Sequence, residues 1–342
     1  MPLLNAPGQA GLQPDSSPTR ADRALADVRA ALALIAADPQ ARRLLADADA
    51  DHPDPDGPLA DWLYRRWWCG PGVGPGEPTP IGPGSAGRGA ARLEAARRTG
   101  APTSAGWLVL AAAGDVLVAA SLGDRGGPGS GAPTARIRSA PDAVVESSRP
   151  GRPPRPGDLV TLQRGSSGLD PSKAWWWAHA GRPEDLAGVA LDRWYVHVRD
   201  LGTACAVVPL LLDVAAEVGC PLSLKCPPVE HGYGRRDALV AYLPRSDGSR
   251  AEGALRRRSG RLRALLVPEV PPCTRQLVPG VGQAQDPGAG STEAAVSYGQ
   301  LRCAQVATLA ARLSAAPVSD RALAAALLDL GVDVDAIEEV QP

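Results

Sequence analysis

Lys225 is the residue whose type and setting point most directly to chemistry. It is one of only two lysines in a chain with thirty-four arginines, and it stands in the apolar run LSLKCP. An arginine stays protonated in a protein, whereas a lysine amine can release its proton and act as a base. The sequence therefore suggests a catalytic base here. An edge-strand lysine that reaches solvent would leave the same pattern, and the arginine-rich bias of a GC-rich genome also explains scarce lysine.

Two further polar residues alternate along a second apolar run, DRWYVHVR at 192–199. Because strand side chains alternate between faces, Tyr195 and His197 share one face, and Lys225 shares a face with Ser223 on its own strand. We expect the two strands to lie side by side, so that Tyr195, His197 and Lys225 converge on an open face. A histidine on a strand is, however, more often a hydrogen-bonded structural residue than an acid.

Arginine and tyrosine side chains follow Lys225 closely. The stretch 231–275 holds ten arginines against four acids, so this part of the chain is locally cationic. Arginine presents paired donors that suit phosphate oxygens, which predicts an anion pocket. Its candidate members are His231, Tyr233, Arg235, Arg236, Arg275, Tyr298 and Arg302. Other readings remain open, since His231 and Tyr233 could be ordinary loop residues and Arg236 could pair internally with Asp237.

The elements that must position these residues fall into four regions. Residues 1–19 are rich in Pro, Ser and Gly and are predicted to be disordered. Residues 20–100 carry helical spacing, interrupted by a Gly/Pro loop at 69–87. Residues 101–317 are predicted to form one domain, and 318–342 an acidic helix and tail.

Within 101–317 the pattern predicts an α+β fold. Short strands separated by Gly/Pro loops indicate a curled antiparallel sheet region, followed by a β-α-β-β section. That section comprises a strand at 192–199, a helix from an N-cap at Thr203 to a stop at Gly219, and strands at 221–227 and 237–244. We expect flanking helices at 249–264 and 297–315, with an irregular segment at 265–290 between them.

The composition excludes several function classes. The net charge of −1 provides no basic field for nucleic acid, and we find neither a secretory signal nor an apolar run that would span a bilayer. The six cysteines form no CxxC pair, and the close pair Cys220 and Cys226 has no histidine beside it, so we expect no metal site. These features favour a cytoplasmic protein with reduced thiols.

An ordered set of blocks carries a family resemblance. DRWYVHV, LSLKCP, YGRRDALVAYLP and the long block from LVPEVPPCTRQL to SYGQLRCAQVA resemble the Hop-type type III effector domain, over about residues 100–316. That domain also occurs as the lyase subunit of class V lanthipeptide and thioamitide biosynthesis. The blocks between 192 and 304 carry most of the specificity.

The resemblance implies a phospho-Ser/Thr lyase. Such subunits eliminate phosphate from a precursor peptide that consists of a leader and a core. A separate aminoglycoside-phosphotransferase-like kinase first phosphorylates this peptide. The lyase subunit and the kinase are expected to form a complex. The products are dehydroalanine and dehydrobutyrine, which a separate cyclase can join to cysteine thiols. The more distantly related phosphothreonine lyases use a lysine base, a histidine acid and arginines on the phosphate, without a metal or other cofactor.

Carried onto this chain, the resemblance implies Lys225 as base and His197 as acid. It places the phosphate on Arg235 or Arg236, Arg275 and Arg302. Tyr195 stands where those lyases keep a second lysine, and His231 and Tyr233 remain alternative acids. A non-catalytic subunit that binds leader peptide or kinase is the alternative function, for which an exposed acidic terminus (Asp333, Asp335, Glu338, Glu339) would suit partner contacts.

Overall fold

The structure is a computed structural model. It describes residues 18–70, 84–97, 103–113, 116–121, 135–139, 144–163, 167–170, 172–181, 183–288, 296–313 and 318–340. The predicted disorder at 1–19 lies outside the described residues except for 18 and 19, and so does the part of the predicted Gly/Pro loop at 71–83; residues 85–87 of that loop belong to a helix. The predicted α+β class is confirmed.

Four helices precede the sheets. Thr19 caps the first one in a capping box with Asp22, and Asp38 ends that helix and caps the next, which begins with Pro39. The third helix continues without a break into a π-helical turn. The elements are α1 (Arg20–Ala37), α2 (Pro39–Ala46), α3 (Pro58–Leu63), the π turn (Tyr64–Trp68) and α4 (Ser85–Ala96).

A five-stranded antiparallel sheet follows, as the short-strand pattern predicts. Its first two strands form the expected hairpin, in which Trp107 pairs with Ser121. The strands lie in the order β3-β2-β1-β5-β4. Their bounds are β1 (Thr103–Ala113), β2 (Val116–Ser121), β3 (Ala135–Ser139), β4 (Val144–Ser147) and β5 (Leu159–Gln163).

A second sheet of seven antiparallel strands carries the candidate chemistry. Its strands are β6 (Ser167–Leu169), β7 (Trp176–Ala180), β8 (Leu191–Val196), β9 (Leu222–Cys226), β10 (Leu239–Pro244), β11 (Arg275–Val278) and β12 (Val281–Gln285). They lie in the order β11-β12-β8-β10-β9-β7-β6. The expectation that β8 and β9 lie side by side is wrong, because β10 enters between them and pairs antiparallel with both.

The β11–β12 hairpin corrects the prediction of an irregular segment at 265–290. Its turn contains Gly280, whose φ of 81° lies in the left-handed region that favours glycine. A Cβ on Gly280 would also lie 2.5 Å from the carbonyl oxygen of Val267. The density of Gly and Pro in this stretch therefore marks a tight turn between strands rather than the absence of strands.

Helix α5 (Leu201–Val218) completes the predicted β-α-β-β section. It ends as predicted at Gly219, with a φ of 69°, but its N-cap is Asp200, whose carboxylate accepts from the backbone N–H of Thr203. Thr203 was thus wrongly taken as the cap. Among the described helices, α5 alone is long and apolar enough to cross a membrane by length and composition. In this fold it packs into the core, and ten of its residues are buried.

The remaining helices follow the predicted order with one change. The expected helix at 249–264 is two helices, α6 (Gly248–Arg257) and α7 (Ser259–Leu265), which meet at Arg258. They are followed by α8 (Tyr298–Arg312) and α9 (Asp320–Leu328). The terminal segment is not a fully exposed acidic tail, because Glu338 is buried and pairs with Arg20 at 3.0 Å.

The seven-stranded sheet has a hydrophobic core on each face. Helices α4 to α7 contribute to one core, with Trp194, Val196 and Leu224 from the strands. The other core joins α1 to α3, α8 and α9 to Tyr195 and Val240. Alternation along β8 therefore sends Trp194 and Tyr195 into different cores. Helices α1 to α3 pack on the face on which Lys225 lies, so the prediction that this face is open is wrong.

Candidate active site

One row of residues crosses the sheet at Lys225. Val240 of β10 pairs with Tyr195 of β8 on one side and with Lys225 of β9 on the other, and Lys225 pairs in turn with Trp177 of β7. Directly paired residues point to the same face of a sheet, so Tyr195 and Lys225 face the same side across two strand spacings, about 10 Å. The predicted convergence of these two residues holds, although a third strand separates them.

Three aromatic rings surround the amine of Lys225. Its Nζ lies 4.8 Å from the ring centre of Trp175, 5.3 Å from that of Trp177 and 5.7 Å from that of Tyr242. A cation over aromatic faces at these distances is attracted by the negative faces of the rings. The side chain is half-buried, so the amine is held at the sheet surface rather than extended into solvent.

This amine lines a cavity of about 40 Å³, which we call the Lys225 pocket. The floor is the sheet row just described, and the walls come from the π turn after α3, the segment before β10 and the start of α8. The lining residues are Tyr64, Trp68, Trp175, Arg193, Tyr195, Lys225, Arg235, Asp237, Val240, Tyr242, Ser297 and Gly299. The cavity is large enough for a few water molecules or a group of a few heavy atoms.

Three buried polar atoms of pocket-lining residues form no hydrogen bond of good geometry with a described residue. They are the Nε1 of Trp68, the Nε of Arg193, a residue that is 6% exposed, and the hydroxyl of Tyr195, which is 3% exposed and lies within reach of Arg193. Arg193 is otherwise held by Asp286, which accepts from its Nη2 at 2.7 Å, and it lies 5.2 Å above the ring of Tyr242. Buried donors without a partner are rare in native proteins and are expected where a ligand supplies the acceptor.

Burial also fixes the protonation of Tyr195. It raises the pKa of the phenol well above its usual value, and the nearby positive charge of Arg193 only partly opposes this shift. Tyr195 therefore keeps its proton and can donate a hydrogen bond near neutral pH. Its ring is fixed edge-on against Trp68, with 5.4 Å between ring centres.

A hydrogen-bonded triad forms the opposite wall of the pocket. Arg235 donates to Asp237 from Nε at 2.5 Å and from Nη2 at 2.8 Å, and Nη2 also reaches the hydroxyl of Tyr64 at 3.0 Å. Tyr64 in turn donates to Asp237 at 2.8 Å. Burial raises the pKa of Asp237, but the charge and hydrogen bonds of Arg235 outweigh it, so the pKa lies below its usual value. The triad thus contains an ionised pair that orients Arg235.

The N-terminus of α8 closes the pocket. Ser297 caps this 15-residue helix by accepting from the N–H of Gln300, and Gly299 stands in the first turn. A Cβ on Gly299 would lie 2.5 Å from Cε2 of Trp68, so only glycine permits this approach. Helix N-termini carry free N–H groups and partial positive charge, which favour an anion.

The predicted acid, His197, and its two alternatives lie outside this pocket. His197 is buried; its Nδ1 donates to the carbonyl oxygen of Glu269 at 3.0 Å, and burial lowers its pKa. His231 is exposed in the short 3₁₀ turn Glu230–Gly232. The hydroxyl of Tyr233 donates to the carbonyl oxygen of Pro227 at 2.6 Å and is buried.

Of the predicted phosphate-binding residues, only Arg235 lines the pocket. Arg236 donates from Nη1 to the carbonyl oxygen of Trp67 at 2.8 Å and holds the π turn. Arg275 pairs with Glu252 at 2.8 Å, in a separate polar cleft. Arg302 is buried, donates to Gln305 and to the carbonyl oxygen of Ile337, and so anchors the C-terminal segment, as does the hydroxyl of Tyr298. The predicted ion pair with Asp237 forms with Arg235 instead of Arg236.

Several pocket residues were not singled out from the sequence. Arg193 could have been, because it precedes Tyr195 by two positions on β8 and therefore shares its face. Tyr64, Trp68 and Gly299 come from distant parts of the chain and carry no local signal. Within the described ranges, no three His, Cys, Asp or Glu side chains are placed together to hold a metal ion.

Comparison with known proteins finds similarity to one family over part of this chain. Residues 171–338 match the model described as HopA1 effector protein family. A solved effector protein from Pseudomonas syringae pv. tomato strain DC3000 is 12% identical, with a TM-score of 0.45 and coverage of 94% of this chain and 99% of that one. One from Pseudomonas syringae pv. syringae strain 61 is 12% identical, with a TM-score of 0.43 and coverage of 94% and 100%.

The segment matched by the family model contains β7 to β12 and helices α5 to α9, and thus the Lys225 row and the start of α8. Tyr64 and Trp68, which form one wall of the pocket, precede it. No curated protein matches this chain. Residues 171–338 of this chain are thus similar to the HopA1 effector protein family.

Proposed function

We propose that this protein is a phospho-Ser/Thr lyase, which eliminates phosphate from a kinase-phosphorylated precursor peptide in lanthipeptide biosynthesis. The observation that carries the proposal is the Lys225 pocket. It brings one amine together with two buried polar groups that form no hydrogen bond of good geometry with a described residue, Arg193 Nε and the Tyr195 hydroxyl. An amine beside a site for an oxyanion is what β-elimination of phosphate requires.

The reaction assigns each group a step. The neutral amine of Lys225 takes the Cα proton, the electron pair forms the Cα–Cβ double bond, and the Cβ–O bond breaks. Phosphate leaves with that bond's electrons. The products are dehydroalanine or dehydrobutyrine and inorganic phosphate.

The phosphate would lie among Arg193, Arg235 and the first turn of α8. Arginine supplies donors that fit phosphate oxygens, and the helix N-terminus adds backbone N–H groups. Tyr195 is the acid best placed to donate to the departing oxygen, since burial keeps its hydroxyl protonated. His197, His231 and Tyr233 lie outside the pocket, and Arg236, Arg275 and Arg302 are held by other contacts.

The partners follow from the chemistry. A kinase of the aminoglycoside-phosphotransferase type would supply the phosphopeptide, in complex with this chain in the cytoplasm, and a cyclase would consume the dehydrated product. A non-catalytic role as a leader-peptide or kinase-binding subunit is the second candidate. It is favoured by the neutralisation of both pocket arginines, Arg193 by Asp286 and Arg235 by Asp237.

Mass spectrometry separates the two functions. The protein is mixed with precursor peptide phosphorylated by its kinase and with synthetic phosphothreonine peptides, and loss of phosphoric acid is followed over time. Loss of phosphoric acid by the wild type but not by Lys225→Ala supports the lyase. Persistent kinase or leader binding without elimination by the wild type supports the adaptor, and full turnover by Lys225→Ala removes the lysine from the mechanism.

A further inference from the structure

An open groove lies on the face of the seven-stranded sheet opposite to Lys225. Helices α4 and α7 both pack against α5, and the space between them has a volume of about 630 Å³. We call it the α4–α7 groove. Its lining residues are Ala95, Ala96, Cys205, Ala206, Pro209, Arg261, Ala264 and Leu265.

The groove is lined mainly by apolar residues, and its walls are low because most of these side chains are small. Ala95, Ala206 and Ala264 are exposed in the described structure, and Cys205 and Leu265 are half-buried. Small residues along a helix surface allow the backbone of another helix to approach closely. Each wall is helical, so the groove presents the surface that an amphipathic helix contacts in helix-in-groove recognition.

Pro209 leaves a polar group in this apolar floor. Proline has no N–H, so within α5 the carbonyl of Cys205, four residues earlier, lacks its usual helical donor. Both residues line the groove. A carbonyl acceptor in an apolar groove favours an occupant that brings a hydrogen-bond donor with it.

Two arginines flank the groove without acidic partners. Arg261 lies on the α7 wall, and Arg92 lies one helical turn before Ala95 and Ala96 on α4. Neither side chain forms an ion pair with a described residue. The preceding arginines of the same region do, since Arg256 pairs with Glu252, and Arg257 and Arg258 pair with Glu217.

Arg92 is close enough to act on the groove itself. Burial raises the pKa of the Cys205 thiol; the positive charge of Arg92 opposes that shift, and the negative charge of Glu230 adds to it. The two arginines stand on opposite sides of the groove, Arg92 on α4 and Arg261 on α7. Acidic side chains at the edges of a docked helix would meet both charges.

We propose that the α4–α7 groove binds an amphipathic helix of a partner protein, with small apolar residues on its buried face and acidic residues along its edges. The surface is independent of the Lys225 pocket, because the sheet lies between them. Occupation of the groove therefore does not require that the chain be a lyase.

The test uses the full chain and two labelled helical peptides of about 18 residues, long enough to hold helical structure. Both carry Ala and Leu at helical spacing; one has Glu at the edges and the other has Lys. Fluorescence anisotropy measures binding to the wild type and to three variants. Ala206→Trp fills the groove from an exposed position, Arg261→Glu reverses a flanking charge, and Arg321→Glu reverses an exposed charge on α9 as the control.

We expect the Glu peptide to bind the wild type and Arg321→Glu equally. Ala206→Trp should lower its affinity about tenfold or more, and Arg261→Glu should shift preference towards the Lys peptide. Circular dichroism confirms that each variant is folded. Equal binding of both peptides, undiminished binding to Ala206→Trp, or no binding of the Glu peptide at about 100 μM would each overturn the proposal. A concentration-dependent dimer of the wild type that Ala206→Trp abolishes would assign the groove to a second copy instead.

Discussion

Lys225 and Tyr195 face the same cavity because both pair directly with Val240. This residue of β10 stands between β8 and β9, so the amine and the phenol project from the same side of the sheet two strands apart. Both side chains line the Lys225 pocket, whose volume is about 40 Å³. The predictions below test what each contributes.

Replacing Lys225 with arginine separates positive charge from base chemistry. Lys225→Arg keeps a cation in the pocket, but guanidinium does not release its proton at neutral pH. We expect elimination to fall about 100-fold or more while the phosphopeptide still binds. Rates come from mass spectrometry, and affinity from calorimetry. Lys173→Asn is the matched control, because Lys173 is exposed and its φ of 59° is one that asparagine tolerates. Unchanged elimination by Lys225→Arg would contradict a base at this position.

Tyr195→Phe removes a buried hydroxyl that forms no hydrogen bond of good geometry with a described residue, although Arg193 lies within reach of it. A structural hydroxyl would cost stability when it is lost, whereas this one should leave the free energy of unfolding within about 0.5 kcal/mol of the wild type. The rate of elimination should nevertheless fall about 100-fold, because losing a hydrogen-bond donor to a developing oxyanion has an effect of about this size. Urea unfolding and elimination assays on the same preparation provide both measurements. Lower stability with normal turnover would assign Tyr195 to the core alone.

Gly299→Ala tests the contact between the start of α8 and the π turn. The added methyl would lie 2.5 Å from Trp68, so the helix or the ring must move. We expect a loss of about 1–3 kcal/mol in unfolding free energy, as for overpacking, together with reduced elimination.

Gly260→Ala is the control for that change. Gly260 lies in α7, and a Cβ there would meet nothing within 4 Å. Alanine should therefore stabilise the protein by about 0.5–1 kcal/mol through helix propensity. If both variants changed stability by the same amount, the proposed close approach at Gly299 would not hold.

Protonation of His197 should make stability depend on pH. Burial lowers its pKa below the usual 6.5, so the unfolded chain binds this proton more tightly than the folded protein does. The histidine's contribution is therefore fully present above about pH 6.5 and is lost as the pH falls from there through the folded pKa. Histidine titrates between about pH 5 and 8. Urea unfolding over this range measures how the free energy of unfolding changes with pH.

His197→Asn should flatten this dependence, since its amide can still donate to the carbonyl of Glu269. His231→Asn is the control, because His231 is exposed and should leave the slope as in the wild type. An equally steep slope in His197→Asn would assign the dependence to other groups. The measurement also bears on the proposed acid, since a histidine held in this way contributes to folding without contact with the pocket.

The elements that local pattern governs could be predicted from the sequence. The periodicity of α1 and the alternation of β8 to β10 follow from short windows, and so does the stop at Gly219. The N-cap of α5 was misassigned because Asp200 and Thr203 are both capping residues three positions apart, and only geometry shows which side chain accepts. The hairpin at 275–285 was missed because its Gly and Pro content resembles that of a loop.

The composition of the pocket could be predicted only in part, for a physical reason. Lys225, Tyr195 and Arg235 lie on or beside strands whose alternation can be read along the chain. The placement of β10 between β8 and β9 depends on long-range pairing, which local sequence does not encode. Arg275 and Arg302 have the residue type that phosphate prefers, but their own partners hold them elsewhere, and no spacing rule reveals those partners.

The contact of Tyr64 and Trp68 with the pocket divides the site between two stretches of one polypeptide. The strands that carry Lys225 and its paired residues lie within the segment matched by the family model. The wall formed by Tyr64 and Trp68 comes from the π turn, about a hundred positions before that segment begins. Exchange of the turn alone would reshape the cavity and leave Lys225 in place. The shape of the cavity and the proposed base can therefore be altered separately in this architecture.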